Sequence, residues 1–310
     1  PARRRALNGV LVAASDPLVV TANQALRRWG VLELAVGRRL FQDSSSVEGG
    51  QPAGFLLDDG SYATWPEAIA YTHRGHGRRV GSRLERAAGI LVKRFGRWRL
   101  HPVTKPVFSV PNPRAQPRER DAGVLRIASF NLNNFFPVTA ARGRHKGDQR
   151  RRHEASVIAA LTALDADVLV VQELANNKGA AATLVERLNR ETSARYELAT
   201  GPASIGDDAI RVAILVRRQQ GLALAEVEVL RDGPHNRPPV LARLRLGAGR
   251  RLDVAGVHFK SRGGCDSSDP CGEARRQAQA RSLRRWVRTE DDVPSLVVGD
   301  FNSYQNERPL

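Results

Sequence analysis

Four short apolar runs in this chain each end on one polar side chain. Leu125-Arg126-Ile127-Ala128-Ser129-Phe130 leads to Asn131, and Asp167-Val168-Leu169-Val170-Val171-Gln172 leads to Glu173. Leu252-Asp253-Val254-Ala255-Gly256-Val257 leads to His258, and Ser295-Leu296-Val297-Val298-Gly299 leads to Asp300. Apolar runs of this length predict buried strands. Side chains alternate faces along a strand, so Asp300 and Asn302 can project the same way from the last one. Between the runs the period becomes helical. Val157, Ile158, Leu161 and Leu164 make a stripe over 150–164, Leu184, Val185 and Leu188 over 180–190, and Leu283, Trp286 and Val287 over 273–288. Residues 210–216 read as a further buried strand and 240–246 as an alternating one. Strands and helices interleaved in this way predict an α/β architecture, a sheet covered by helices.

The pattern before residue 108 is different. Short runs at 10–12, 18–20, 31–34, 54–57 and 89–92 are punctuated by turn residues such as Asp58-Asp59-Gly60. Several short strands in about 100 residues predict a small barrel or sandwich. Pro111, Pro113 and Pro117 stand among charges, which predicts an extended linker. The expected organisation is a β-rich domain over 1–108, a linker over 109–123 and a second domain over 124–310. A long basic loop, with Arg142, Arg144, His145 and Lys146, is expected over 135–149.

Charge adds a partner class. The 49 Lys+Arg outnumber the 32 Asp+Glu, for a net charge of +17. Before Gly123 there are 20 cations and 10 carboxylates, so +10 of the excess lies there and +7 after it. Such a field attracts polyanions, nucleic acid first. Nearly all the cations are Arg, so genomic composition explains the excess equally well, yet the field attracts phosphate whatever its origin. No apolar run approaches membrane-spanning length, and no membrane partner is expected. The chain contains no methionine and begins at Pro1, which predicts a processed chain or a fragment. Cys265 and Cys271 share one polar loop with Pro270 and Gly272. A disulfide is favoured there over two free thiols, and with it an oxidising compartment. Two thiols without a nearby histidine make only half a zinc site. His73 and His76 are candidate metal ligands, but a solvated basic loop is the favoured reading because no carboxylate or cysteine accompanies them.

Glu173, Asp300, Asn131 and Asn302 offer hard oxygen donors suited to Mg²⁺, Mn²⁺ or Ca²⁺. Such an ion polarises a phosphoryl oxygen. His258 can move a proton or hydrogen-bond a phosphate oxygen near neutral pH. Arg237, stiffened by Pro238 and Pro239, is a candidate phosphate clamp, and Lys260 adds charge just after His258. Each of these residues alone also has a plainer reading as a cap, a turn former or a satisfied core group. Together they make a phosphodiester-hydrolysing set.

Ser129-Phe130-Asn131, Gln172-Glu173, Asn236-Arg237-Pro238, His258-Phe259-Lys260-Ser261 and Gly299-Asp300-Phe301-Asn302 occur in an order that resembles the endonuclease/exonuclease/phosphatase superfamily, with its deoxyribonuclease-I-like fold. More narrowly, the chain resembles secreted bacterial extracellular nucleases, which place a β-rich, OB-like domain before the nuclease domain. The cysteine loop after His258-Phe259-Lys260-Ser261 looks like theirs as well. The resemblance implies a four-layered α/β sandwich preceded by a small barrel-like β domain. It implies a divalent metal, Mg²⁺ first, at Glu173 with Asn131, and phosphate contacts from Asn131, Arg237, His258 and Asn302. His258, Asp300 and Asn302 form the implied catalytic group, with Asp300 orienting or activating the attacking water. A secreted, extracellular or periplasmic location is implied too.

One family feature is not matched. The superfamily ends on a Ser-Asp-His motif, whereas eight residues without histidine follow Asn302 here. The expectation is a catalytic domain incomplete at its C-terminus and crippled as it stands. The carboxylate that orients His258 is not evident, and Asp208 is the nearest candidate. The leading function is metal-dependent hydrolysis of nucleic acid, DNA favoured. The alternatives are a phosphatase of the same fold acting on lipid or inositol phosphates, and a non-catalytic nucleic-acid-binding module.

Overall fold

The structure, a computed structural model, describes residues 7–40, 47–48, 51–52, 54–61, 63–68, 70–73, 76–109, 119–121, 123–137, 147–201, 203–231, 233–263, 272–287, 293–304 and 307. Cys265, Cys271 and the basic residues of 138–146 lie outside them. The chain divides into two compact units, 1–116 and 117–310.

The first unit contains β1 (Val10–Ala13), β2 (Leu18–Ala22), a short helix α1 (Leu26–Trp29), β3 (Val31–Val36), β4 (Val47–Glu48), β5 (Gln51–Pro52), β6 (Phe55–Asp58), β7 (Thr72–His73) and β8 (His76–Gly77). It continues through β9 (Arg83–Arg86), β10 (Ala88–Arg94), β11 (Arg97–Pro102) and β12 (Val107–Ser109). Eight of these strands form one sheet, in the order β1-β10-β11-β6-β3-β2-β9-β12. Strands β9 and β10 are consecutive in the chain, with only Ala87 between them, yet they sit near opposite ends of that order. The sheet therefore curls until its ends meet in one bent strand, which gives the unit a barrel-like form. Leu18, Val20, Leu32, Leu34, Leu57, Leu84 and Leu100 fill its interior.

The second unit begins with β13 (Ile127–Phe135), α2 (Gly147–Leu164), β14 (Val168–Ala175), α3 (Lys178–Glu191), β15 (Tyr196–Leu198) and β16 (Ile210–Arg217). It ends with β17 (Leu222–Val229), β18 (Val240–Leu246), β19 (Arg251–His258), α4 (Glu273–Val287) and β20 (Ser295–Asp300). Two four-stranded sheets result, β13-β14-β16-β15 and β17-β18-β19-β20. Each contains one parallel pair, β13 with β14 and β19 with β20. A parallel pair needs a crossover, which α2 supplies in one sheet and α4 in the other.

The layers follow from which face each residue buries. Val168, Val170, Val212, Ile214 and Val216 of the first sheet meet Val240, Ala242, Leu244 and Val254 of the second. Gly256 lies at this junction, where a Cβ would come within 2.9 Å of Val170 and 3.0 Å of Val212. No larger residue lets the sheets approach so closely. Leu169, Val171, Ala213 and Leu215 face the other way, onto Val157, Ile158 and Leu161 of α2 and Leu184 and Leu188 of α3. Val257 packs on Leu283 of α4 on the far side of the second sheet. The architecture is a four-layered sandwich of helices, sheet, sheet and helix, the fold expected from the sequence.

The α3 helix starts where expected, because the Asn177 side chain accepts a hydrogen bond from Ala180 N and caps it. Two local expectations need adjusting. Residues 119–121 and 126 are tied to the second unit, since Arg120 pairs with Asp167 and Arg126 N donates to Asp167 Oδ2 at 2.8 Å. The buried side of α4 also carries Arg276 and Gln279 beside Leu283, where the apolar stripe alone points to Leu283, Trp286 and Val287.

Candidate active site

Each parallel pair delivers two polar groups at the same sheet edge, because parallel strands end together. Asn131 lies opposite Gln172 in the register, next to Glu173. His258 lies opposite Asp300. Gly299 is required just before Asp300, since a Cβ there would fall 2.1 Å from the Val257 carbonyl oxygen of the neighbouring strand. The stacked sheets bring the two pairs together. Asn131 Nδ2 donates to Glu173 Oε1 at 3.1 Å and to Asp300 Oδ2 at 3.0 Å, so one amide joins the carboxylates of both sheets.

Backbone irregularity aims these groups. The β13–β14 register shifts between Asn131 and Phe135, and the β14–β16 register shifts between Val171 and Leu174. Such bulges redirect side chains at sheet edges. Glu173 has φ 61° and Asn302 φ 49°, both in the left-handed region. For a glutamate inside a strand this conformation is strained, and strain of this kind collects at functional sites. Asn131 Oδ1 accepts from Asn133 N at 2.8 Å, and Asp300 Oδ1 accepts from Asn302 N at 2.9 Å. Both are local turns that fix a side chain against its own backbone.

His258 is buried, with Nε2 3.8 Å from Asp300 Oδ2. Arg237 NH1 stands 3.0 Å from Nε2 and 3.2 Å from Nδ1 of the same ring. A guanidinium only donates, so whichever of the two ring nitrogens accepts from it carries no proton, and the neutral ring keeps its one N–H on the other. Burial, reinforced by Arg237 and opposed by Asp300, pushes the His258 pKa down to about 4. The imidazole is therefore neutral at pH 7. Arg237 is itself buried. Its NH2 donates to the Phe259 carbonyl at 2.6 Å, an oxygen that Asn302 Nδ2 also reaches at 3.1 Å. The Arg237 fork thus faces His258 and Phe259, and burial lowers its pKa against the pull of Asp208, Glu173 and Asp300. Asp208 lies beside Arg237, 3.9 Å from Nε, and the carboxylate facing His258 is Asp300. Lys260 turns its Nζ to the carbonyls of Ser261 and Gly263 in its own loop.

Sequence reading missed Gln279. Its Oε1 accepts from Lys260 N at 2.9 Å and its Nε2 donates to the Pro234 carbonyl at 3.3 Å. One side chain of α4 thereby pins the segment after His258 and the segment leading to Arg237. A glutamine in an Arg-rich helix carries no signal of burial, and only the packing shows this role.

Residues 128–310 match the Endonuclease/Exonuclease/phosphatase family. The chain belongs to that family. No curated protein matches it in sequence. Among solved structures it is similar to humanized D. rerio TDP2, with 16% identity over 59% of this chain and 64% of that one and a TM-score of 0.42. It is similar to the human Nocturnin catalytic domain, with 19% identity over 60% and 66% and a TM-score of 0.44. A conserved protein of unknown function from Enterococcus faecalis gives 15% identity over 60% and 69% and a TM-score of 0.43. The chain spans about two thirds of each relative's length.

Family members use divalent cations, and the donor set here fits one. Glu173 Oε2 is buried and has no hydrogen-bond partner among the described residues. An ionised oxygen left in that state is costly unless a cation meets it. The partial positive charge of the Asn131 amide already lies between Glu173 and Asp300. Of the two residues expected at the metal, Glu173 holds the open donor, while the Asn131 oxygen is engaged by Asn133 N. Among the described residues no group of three or more His, Cys, Asp and Glu forms a metal cluster, but Mg²⁺ takes one or two carboxylates and keeps several waters.

His235 gives a stability prediction. It packs against Phe259 with ring centroids 6.2 Å apart, and neither ring nitrogen has a partner among the described residues. Burial and then Arg275 push its pKa from 6.5 down to about 4. The unfolded chain binds this proton between those values and the folded chain does not, so stability is full above pH 6.5 and falls towards pH 4. His235→Phe should melt at or above the wild-type temperature at pH 7 and lose less stability on acidification through that window. Parallel wild-type and variant curves of melting temperature against pH would refute the assignment.

Proposed function

We propose that the chain is a divalent-metal-dependent phosphodiester hydrolase acting on nucleic acid, DNA foremost. The supporting observation is that the Asn131 amide joins Glu173 to Asp300, with His258 Nε2 3.8 Å from Asp300 Oδ2. Glu173 would hold the cation, with Asn131 beside it. A bound Mg²⁺ supplies Lewis-acid polarisation of a phosphoryl oxygen.

The chain's own groups do the rest. Asp300 is oriented at both oxygens, by Asn302 N and by Asn131 Nδ2. It positions the attacking water and takes its proton as the oxygen–phosphorus bond forms. The bond from phosphorus to the leaving oxygen breaks, and that oxygen takes a proton from solvent. Neutral His258 keeps one ring N–H that it would offer to a phosphoryl oxygen, with Arg237 NH1 within 3.2 Å of both ring nitrogens. Developing negative charge is met by a buried guanidinium one group away, a preorganised arrangement.

The net charge of +17 supports a polyanionic substrate over a small phosphate ester. A substrate panel tests this. Plasmid DNA should be cut with Mg²⁺ present, and inositol phosphates and phospholipid headgroups should release no phosphate. DNA affinity, measured in EDTA, should fall at least about tenfold between 50 and 200 mM salt, because neutralising phosphates releases counterions. Phosphate release from inositol phosphates with plasmid left intact would replace this reading by the phosphatase one.

A further inference from the structure

All the residues of the candidate site belong to the second unit, and the first carries a different set of features. Three large aromatic side chains are exposed there: Trp29 at 42%, Trp65 at 62% and Phe95 at 72%. Trp29 and Phe95 flank one largely apolar cleft of about 550 Å³. Trp65 stands beside it, since its backbone N–H donates to the Arg28 carbonyl at 2.8 Å.

Two of the three aromatics are held in strained backbone. Arg94 and Arg97 pair across the β10–β11 hairpin, which leaves Phe95-Gly96 as a two-residue turn. Phe95 has φ 50° and Gly96 φ 74°. Turns of this shape favour Asn-Gly, and a bulky residue at positive φ is a true outlier. Trp65 is likewise left-handed, with φ 59°. Neither residue recovers that strain by burial. Exposure and strain together point to a use for the rings outside the fold.

Cations accompany the rings. The Arg28 guanidinium lies 4.9 Å from the Trp29 ring centroid, and those of Arg94 and Arg99 lie 5.4 and 5.3 Å from that of Phe95. The carboxylates here are Glu33, paired with Arg97 at 2.8 Å, Asp58, paired with Arg99, and Asp59, which lies against Gly30 beside Trp29, and the cations are Arg28, Arg94, Arg97 and Arg99. The face is therefore aromatic and net positive.

We propose that this face binds single-stranded nucleic acid, with unpaired bases stacking on Trp29 and Phe95 and the phosphates meeting Arg28 and Arg94. Stacking platforms interleaved with cations are how proteins hold single strands without reading sequence. A duplex keeps its base faces stacked internally and cannot use the rings in this way. An apolar protein partner would have no use for the guanidinium beside each ring, and the charge favours a polyanion. The site is independent of the catalytic reading, because it lies in the other unit and binding can be measured with metal removed.

The test uses the whole chain in EDTA. Binding of a fluorescent oligothymidylate is followed by anisotropy and by quenching of tryptophan emission, with a duplex of equal length as competitor. The single strand should bind at least about tenfold more tightly than the duplex. Phe95→Gly should weaken it about tenfold, and Phe95→Tyr should retain it. Phe95→Gly should also melt at or above the wild-type temperature, since glycine relieves the turn. Unchanged oligothymidylate binding in Phe95→Gly, or equal binding of duplex and single strand, would overturn the proposal. Neither result bears on hydrolysis in Mg²⁺, so the two readings fail separately.

Discussion

Glu173→Gln should lower DNA cleavage by at least about a hundredfold and abolish calorimetric Mg²⁺ binding, while the melting temperature stays within a few degrees of wild type. The size of the loss follows from losing the cation, whose Lewis-acid polarisation is worth several kcal/mol of transition-state stabilisation, at about tenfold in rate per 1.36 kcal/mol. The small effect on stability follows from geometry. Glu173 Oε1 accepts from Asn131 and can do so equally as a glutamine oxygen. Oε2 has no donor facing it among the described residues, so an amide nitrogen there breaks no hydrogen bond. The substitution removes charge and leaves shape. Wild-type Mg²⁺ affinity in the variant would place the cation elsewhere.

Asp300→Asn should lose activity on the same scale, about 10²–10⁴-fold, but should also melt lower. Both of its oxygens accept, Oδ1 from Asn302 N and Oδ2 from Asn131 Nδ2. An asparagine amide must turn its NH₂ toward one of those donors, and a donor left without an acceptor costs about 1–3 kcal/mol. The contrast between two isosteric changes is the informative part. If Asp300→Asn melts with the wild type, or Glu173→Gln melts well below it, the hydrogen-bond pattern of the site is wrong.

The strand ends were legible in the sequence because each buried run stops on one polar group, and parallel pairing places those ends together. Asn131, Glu173, His258 and Asp300 all meet on that logic alone. Orientation was not legible. Nothing in Asn236-Arg237-Pro238 tells that the guanidinium turns inward to His258 and Phe259, or that Asp208 lies against Arg237 while Asp300 faces the histidine. Those directions are set by Gln279 and by the bulges at Asn131 and Glu173, which depend on contacts distant in the chain.

Polar strands were hidden for a related reason. In β17, Glu226 and Glu228 point at Arg243 across the sheet, so the run lacks the apolar continuity that marks β14 or β16. In β11, Arg97 and Arg99 interrupt any apolar run, and their partners Glu33 and Asp58 lie on β3 and β6. Cross-strand ion pairs stabilise these strands, and a pair is invisible from one partner alone.

The most direct test of the account is supercoiled plasmid incubated with the purified chain in Mg²⁺, with EDTA, and with EDTA followed by excess Mg²⁺. The account predicts slow conversion to nicked and linear DNA in the first, as the crippled catalytic set expected from the sequence implies, intact plasmid in the second and restored cleavage in the third. Cleavage that persists in EDTA, or plasmid left intact under all three conditions, would contradict it.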